Sequence, residues 1–207
     1  MTFLLLAFLG AFSTPDSCPA AARRANVVAL LPGHTVERRA GASDLARLGS
    51  SLVIPGHSMQ GLTVTDMTAS YETDLRMTRL SDGSWCADVE SVEVRIGLAS
   101  PALVYVAREL AEGSCMYREV MAHELSHVSV TESAVRAGAA SAGPALGAAL
   151  AGLPAYGRTS EEASAAALAR VGSAVKMVSD AVSARAARDN ARLDTPESYA
   201  RLGSSCR

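Results

Sequence analysis

The sequence predicts an α+β fold in which a strand-rich N-terminal half packs on a helical C-terminal half. Residues 27–110 are rich in Val and Thr and contain strand-like alternation, whereas residues 115–137 contain no Gly or Pro and residues 160–190 have an apolar stripe. At 207 residues the chain has the length of a single domain. We therefore expect one domain over residues 21–207, with strands over 21–113 and helices over 114–207.

Composition and charge exclude two classes of protein. Hydrophobic residues make up 49% of the chain and charged residues 19%, which excludes a disordered chain. The formal net charge is only -2 and no long run of Lys or Arg is present. The sequence therefore shows no electrostatic surface for nucleic acid, and we expect no nucleic-acid partner.

Strand signals are clearest around a predicted hairpin. Residues 81–84 read Ser-Asp-Gly-Ser, and the Asp-Gly pair suits a tight turn between strands at 76–80 and 85–89. Val92, Val94 and Ile96 alternate with charged residues, which predicts a strand with one buried face. Residues 103–107 follow Pro101 and predict a further short strand.

Helix signals divide the C-terminal half. Ser114 is a suitable N-cap for a helix from residue 115 to about residue 137, and Gly138 and then Gly143-Pro144 mark its end. Ser160 is the predicted cap of a second helix that continues to about residue 190. Apolar residues recur along it at spacings of three and four, which predicts a core-facing stripe: Leu168, Val171, Val175, Val178 and Val182. Residues 194–197, Asp-Thr-Pro-Glu, predict a third helix start.

The N-terminus is typical of an export signal. Residues 2–12 form an apolar run that is too short to span a bilayer, although no Lys or Arg precedes it. We predict a signal peptide over residues 1–20, with cleavage near residue 13 or near residue 20. The mature protein would then be periplasmic or extracellular, with no stable insertion in the membrane.

Four widely spaced cysteines predict two disulfide bonds in an exported chain. They are Cys18, Cys86, Cys115 and Cys206. Their spacing does not choose among the three possible pairings. A bond between Cys115 and Cys206 would tie the C-terminal tail to the predicted helix at residue 115.

Residues 123–127, His-Glu-Leu-Ser-His, form an HExxH motif in the middle of a predicted helix. Four residues correspond to about 400° of helix, so His123 and His127 project from one face and can bind one Zn²⁺. Glu124 lies beside them and suits a general base that takes a proton from a water activated by the metal. The motif predicts zinc as the cofactor, with Glu124 as the catalytic residue.

The segment around this motif resembles a group of uncharacterised bacterial proteins described as secreted zinc-dependent proteases. In that group a strand, a Gly-Ser-Cys-x-Tyr entry and an HExxH helix follow one another, as in residues 104–128 here. The group ends in an Asp-Thr-Pro-Glu-x-Tyr segment and a last cysteine, which match residues 194–199 and Cys206. The resemblance implies a zincin-like helix and a peptidase role.

A catalytic zinc needs a third protein ligand, and the sequence leaves its identity open. In related zincins with a glutamate ligand, that residue comes from a later helix, which Glu161 and Glu162 match by location. Asp194 belongs to the second matching segment and is also suited to cap a helix. His34 and His57 each follow Pro-Gly in predicted loops and could approach the metal. We expect them to be exposed loop residues rather than ligands.

These observations together predict an exported zinc-dependent peptidase whose substrates are peptides or proteins. We expect an extended substrate to add to the edge strand of a sheet, and residues 103–107 are the candidate edge. One alternative is a non-catalytic, zinc-stabilised envelope or binding domain. Another is a structural protein with disulfides and no metal. The sequence does not indicate the oligomeric state.

Overall fold

The computed structural model describes residues 15–49 and 58–206 and confirms the α+β prediction, with strands in the N-terminal half and helices in the C-terminal half. His57 and residues 1–14 of the predicted signal peptide lie outside the described residues. The elements are, in chain order, β1 (Arg24–Leu30), β2 (His34–Glu37), α1 (Ala42–Leu48), β3 (Gly61–Val64), β4 (Met67–Arg79), β5 (Trp85–Leu98), β6 (Ala102–Val106), α2 (Cys115–Ser141), α3 (Gly143–Ala151), β7 (Ala155–Gly157), α4 (Ser160–Ala191) and α5 (Pro196–Ser204).

The larger sheet is built on β5, which pairs with antiparallel β4 along most of its length. On the other side of β5, β1 pairs in parallel with its second half and β7 pairs antiparallel with its first residues. The predicted hairpin joins β4 to β5, and Gly83 adopts the positive φ of 87° that its turn requires. Val92, Val94 and Ile96 are buried, which confirms the predicted one-sided strand.

The smaller sheet has the order β2-β6-β3, with β2 parallel and β3 antiparallel to β6. The expectation that residues 103–107 form the edge strand is therefore wrong, because β6 is the central strand. Its alternating burial reflects one face packed on α2, and alternation along one strand does not specify how many neighbours that strand has. The strand that ends the sheet beside α2 is β3.

The two long helices pack against each other and against the sheets. The predicted stripe on α4 faces the core, since Val171, Val175 and Val182 are buried. The first long helix, α2, passes Gly138 and ends at Ser141, before the predicted breaker at Gly143 and Pro144. A Cβ on Gly138 would lie 2.0 Å from Cγ2 of Val182, so the glycine permits close helix packing that offsets its weak helix propensity.

Two disulfide bonds join Cys18 to Cys86 and Cys115 to Cys206. The first ties the segment before β1 to β5, and the second ties the end of the chain to the first residue of α2. The two bonds fit an exported protein that folds in an oxidising compartment. None of the described helices has the length and apolar character that a membrane span requires.

Candidate metal centre

The HExxH motif lies in the third and fourth turns of α2. Ser114 caps the helix as predicted, since its hydroxyl accepts a hydrogen bond from the Tyr117 N–H at 3.2 Å. Val120 and Val128 are buried against β6 and fix the rotation of the helix. The imidazoles of His123 and His127 then project together from another face, with ring centroids 4.9 Å apart.

Asp194 completes a compact cluster with the two histidines. It lies in the short connection between α4 and α5, and its Oδ1 is 3.2 Å from Nε2 of His123 and 3.2 Å from Nε2 of His127. The two Nε2 atoms are also 3.2 Å apart. Three potential ligand atoms from two distant parts of the chain therefore form a nearly equilateral triangle.

This triangle has the dimensions of one face of a tetrahedral zinc site. Bonds of about 2.0 to 2.1 Å to zinc place tetrahedral ligand atoms about 3.3 Å apart. All three atoms of the cluster carry lone pairs when the histidines are neutral and the carboxyl is ionised, so their convergence favours a cation between them. Two histidines and one carboxylate also match the donor set of a catalytic zinc with one open position.

Asn190 and Thr131 form a second layer behind His127. Oδ1 of Asn190 lies 2.9 Å from Nδ1 of His127, and because an amide oxygen only accepts, Nδ1 carries the proton and Nε2 faces the cluster with its lone pair. The Asn190 amide nitrogen donates to the Thr131 hydroxyl at 3.1 Å. Such partners fix the tautomer and orientation of a metal-ligating histidine.

Electrostatics couple the members of the cluster. Burial lowers the pKa of His127, but hydrogen bonds with Asp194 and Asn190 outweigh it and the net pKa is raised. Burial also raises the pKa of Asp194, yet hydrogen bonds with His123 and His127 outweigh it and hold that pKa well below its usual range. Asp194 is therefore ionised at neutral pH, as a metal-ligating carboxylate must be.

Glu124 is only 5% exposed, and its side chain extends from α2 toward β3. Its Oε2 accepts a hydrogen bond from the Thr63 hydroxyl at 2.8 Å. A Cβ on Gly61 would lie 2.4 Å from Oε1, so the glycine leaves the space that the carboxylate occupies. Burial raises the pKa of Glu124, and the Thr63 hydrogen bond opposes that shift only in part.

Tyr199 approaches the cluster from the first turn of α5. Its hydroxyl donates to Oδ1 of Asp194 at 2.9 Å, and its ring centroid lies 5.5 Å from that of His123. Burial and the negative charge of Asp194 raise the pKa of Tyr199 above its usual range. Tyr199 thus presents a protonated phenol beside the three potential ligands.

Two cavities meet at this site. The larger, of about 550 Å³, is partly polar and includes Thr63, Thr131 and Asn190 in its wall. The smaller, of about 170 Å³, has an apolar wall made by Met116, Val120 and Leu202. Three residues line both cavities and therefore mark the boundary between them: Gly61, Glu124 and Tyr199.

The structure places the other candidate ligands outside this cluster. Glu161 and Glu162 lie in the first turn of α4, and Glu162 bonds to Arg158 there. Since a helix rises about 1.5 Å per residue, they are about 40 Å from Asn190 at the other end of α4. His34 begins β2, which β6 separates from β3.

Sequence reasoning missed five residues of the site, of which Thr131 is the partner of Asn190. Thr63 and Gly61 come from a strand about sixty residues before the motif, and the sequence contains no local signal for their role. For Asn190 the sequence indicated only that a helix ends near it. Tyr199 stood within the matching Asp-Thr-Pro-Glu-x-Tyr segment, which was a signal for its position but not for its contact with Asp194.

Comparison of the chain with protein-family models, with curated proteins and with solved structures gives no match. The case for a function therefore depends on the geometry of this cluster.

Proposed function

We propose that this protein is an exported zinc-dependent peptidase. The observation that carries the proposal is the triangle formed by His123, His127 and Asp194, with a buried glutamate one residue from the first histidine. His123, His127 and Asp194 are the proposed zinc ligands, and Glu124 is the proposed general base. The resemblance of the sequence to secreted zinc-dependent proteases agrees with this assignment.

Glu124 has the environment that proton transfer requires. When bound, zinc would polarise the substrate carbonyl and lower the pKa of the attacking water. Glu124 would take one proton from that water as the oxygen adds to the carbonyl carbon. It would return the proton to the amine nitrogen as the C–N bond breaks, so that Glu124 ends the cycle ionised.

The edge of β3 that faces away from β6 indicates how a peptide would bind. β3 pairs with β6 on one side, and no strand within residues 15–49 and 58–206 pairs with it on the other. An extended peptide added there would pass Gly61 and Glu124, with side chains directed into the cavities on either side. The apolar wall of the smaller cavity favours an apolar side chain next to the scissile bond.

The disulfides support export and bear on signal cleavage. Cleavage after Ala20 would remove Cys18 and leave its partner Cys86 without a disulfide bond. The bond between Cys18 and Cys86 therefore favours cleavage near residue 13, which keeps Cys18 in the mature protein. The mature protein would then work in an oxidising periplasmic or extracellular compartment.

Metal analysis of the purified protein tests the proposal. We expect about one zinc per chain in the wild type, and loss of zinc in His123→Ala and Asp194→Ala because two remaining ligands bind weakly. Glu161→Ala is the matched control, since it removes a carboxylate that lies far from the cluster. Removal of the zinc with a chelator should abolish cleavage of a quenched fluorescent peptide library, and added zinc should restore it.

Two results would contradict the proposal in different ways. If wild type and variants all lack zinc, the cluster is not a metal site. If zinc binds through Asp194 but no peptide is cleaved, the protein is a zinc-stabilised binding domain.

A further inference from the structure

The position of Tyr199 between the two cavities suggests a role in the reaction itself. Its hydroxyl lies 2.9 Å from Oδ1 of Asp194, which in turn is 3.2 Å from each histidine Nε2. It also lines both cavities, together with Gly61 and Glu124. A peptide bound across both cavities would therefore lie beside Tyr199.

Peptide hydrolysis needs a hydrogen-bond donor at the position where negative charge develops. As water adds to the carbonyl carbon, the C=O oxygen gains negative charge, and a pre-positioned donor lowers the barrier. Two nearby side chains that could donate already donate to other side chains. The Thr63 hydroxyl bonds to Glu124, and the Asn190 amide bonds to Thr131.

Tyr199 differs from these two groups because its partner belongs to the proposed ligand triangle. The phenol O–H can turn about the Cζ–Oη bond from Asp194 toward an oxygen bound between the cavities. Its ring packs beside His123 at 5.5 Å, which limits how far it can move.

We propose that the Tyr199 hydroxyl donates a hydrogen bond to the carbonyl oxygen of the scissile peptide as that oxygen gains negative charge. This role rests on the proposed peptidase function and adds a catalytic residue to it. No proton is transferred by Tyr199, so the proton balance remains with Glu124.

The competing role for Tyr199 is to hold Asp194 in place. A residue that only positions Asp194 would affect zinc affinity, whereas a donor to the reacting oxygen would affect the transition state and leave zinc affinity nearly unchanged. The two roles therefore predict different measurements for the same variant.

The test is Tyr199→Phe in the full mature chain with both disulfides, with Tyr156→Phe as control. Tyr156 is 57% exposed on β7, so its hydroxyl should have no role at the site. For each protein we would measure zinc affinity, kcat and KM on the best peptide from a quenched library, and calorimetric affinity for a phosphinic analogue of that peptide. The phosphinic group is a tetrahedral anion that imitates the charged oxygen.

We expect Tyr199→Phe to lower kcat by about 100-fold to 1,000-fold, as for loss of one oxyanion donor, with KM within about threefold of wild type. Affinity for the phosphinic peptide should fall by about 100-fold, while zinc affinity stays within about threefold. Zinc affinity that falls in parallel with kcat would overturn the proposal and make Tyr199 a positioning residue. Unchanged kcat and phosphinic affinity would overturn it as well.

Failure of the peptidase function gives a separate result. If wild-type protein neither cleaves a peptide nor binds zinc-directed phosphinic peptides, the proposed function is wrong and the role of Tyr199 falls with it. If wild type does both and Tyr199→Phe matches it, only the role of Tyr199 is wrong.

Discussion

Two carboxylates are buried in the part of the chain that the structure describes, residues 15–49 and 58–206, and their surroundings differ. Asp88 in β5 has no exposed surface, and its oxygens accept two hydrogen bonds from Arg23 and one from the Ala21 N–H. Glu124 in α2 is 5% exposed, and its side chain accepts a hydrogen bond from Thr63. Each carboxylate is also on an element that a disulfide bond joins to another part of the chain. Cys86 lies two residues before Asp88 in β5, and Cys115 lies in the first turn of α2, the helix of Glu124.

The partners decide what burial does to each carboxylate. Burial raises the pKa of Asp88, but the Arg23 guanidinium and backbone N–H groups outweigh it and the net pKa is lowered. At Glu124 burial prevails and the pKa is raised. A charged carboxylate therefore stabilises the fold at Asp88 and destabilises it at Glu124. A buried carboxylate whose pKa is raised by burial, and which lines a cavity, is the one to examine for catalysis.

The largest expected effect comes from Glu124→Gln. We expect kcat to fall by about 100-fold to 10,000-fold because the amide cannot accept the proton, while zinc remains bound. Since the folded pKa of Glu124 is raised, its ionised form destabilises the metal-free protein above that pKa, and the uncharged glutamine should raise the metal-free melting temperature. Kinetics, zinc analysis and thermal unfolding measure these effects. Loss of zinc in this variant would contradict the assigned roles.

The two disulfides should have similar effects on stability and different effects on the site. They close loops of 68 and 91 residues, so removing either should lower the free energy of unfolding by about 4 kcal/mol in the loop-entropy account. Cys115→Ala with Cys206→Ala should also weaken zinc binding by about tenfold, because that bond holds α5 and Tyr199 against α2. Cys18→Ala with Cys86→Ala is the matched control. Equal loss of zinc affinity in the two pairs would argue against this distinction.

Asp88→Asn should lower stability without changing the site. Loss of the charge leaves the Arg23 guanidinium without its ion partner, and we expect a decrease of about 2 to 3 kcal/mol in the free energy of unfolding at pH 7. Because the folded pKa of Asp88 is lowered, its contribution is complete above the unfolded pKa of about 4 and is lost as pH falls further. Urea unfolding should therefore show a smaller difference from wild type in acid. An equal difference at all pH values would contradict the lowered pKa.

Thr63→Val gives the smallest expected effect and tests the environment of Glu124 directly. Loss of the hydroxyl removes a hydrogen bond that lowers the pKa of Glu124, so the acid limb of kcat/KM should move to higher pH. The maximum rate at high pH should change little. Thr35→Val, on the exposed strand β2 of the same sheet, is the control. An unchanged acid limb would show that another group controls it.

The sequence predicted much of the secondary structure because those signals are local. The Asp-Gly turn, the Ser114 cap and the apolar stripe on α4 each depend on residues within a few positions of one another. The same signals locate the end of the first long helix only to within a few residues, because α2 passes Gly138, which packs against Val182, and ends at Ser141.

The HExxH motif by itself determined that His123 and His127 share one helix face, since the spacing of four residues depends only on helix geometry. Tertiary structure decided the rest of the site. Asp194 joins His123 across 71 positions, Asn190 joins His127 across 63, and Thr63 joins Glu124 across 61. Contacts at such separations depend on how the helices and sheets pack and on which strand ends the sheet. The local pattern of residues does not determine the packing or the order of the strands.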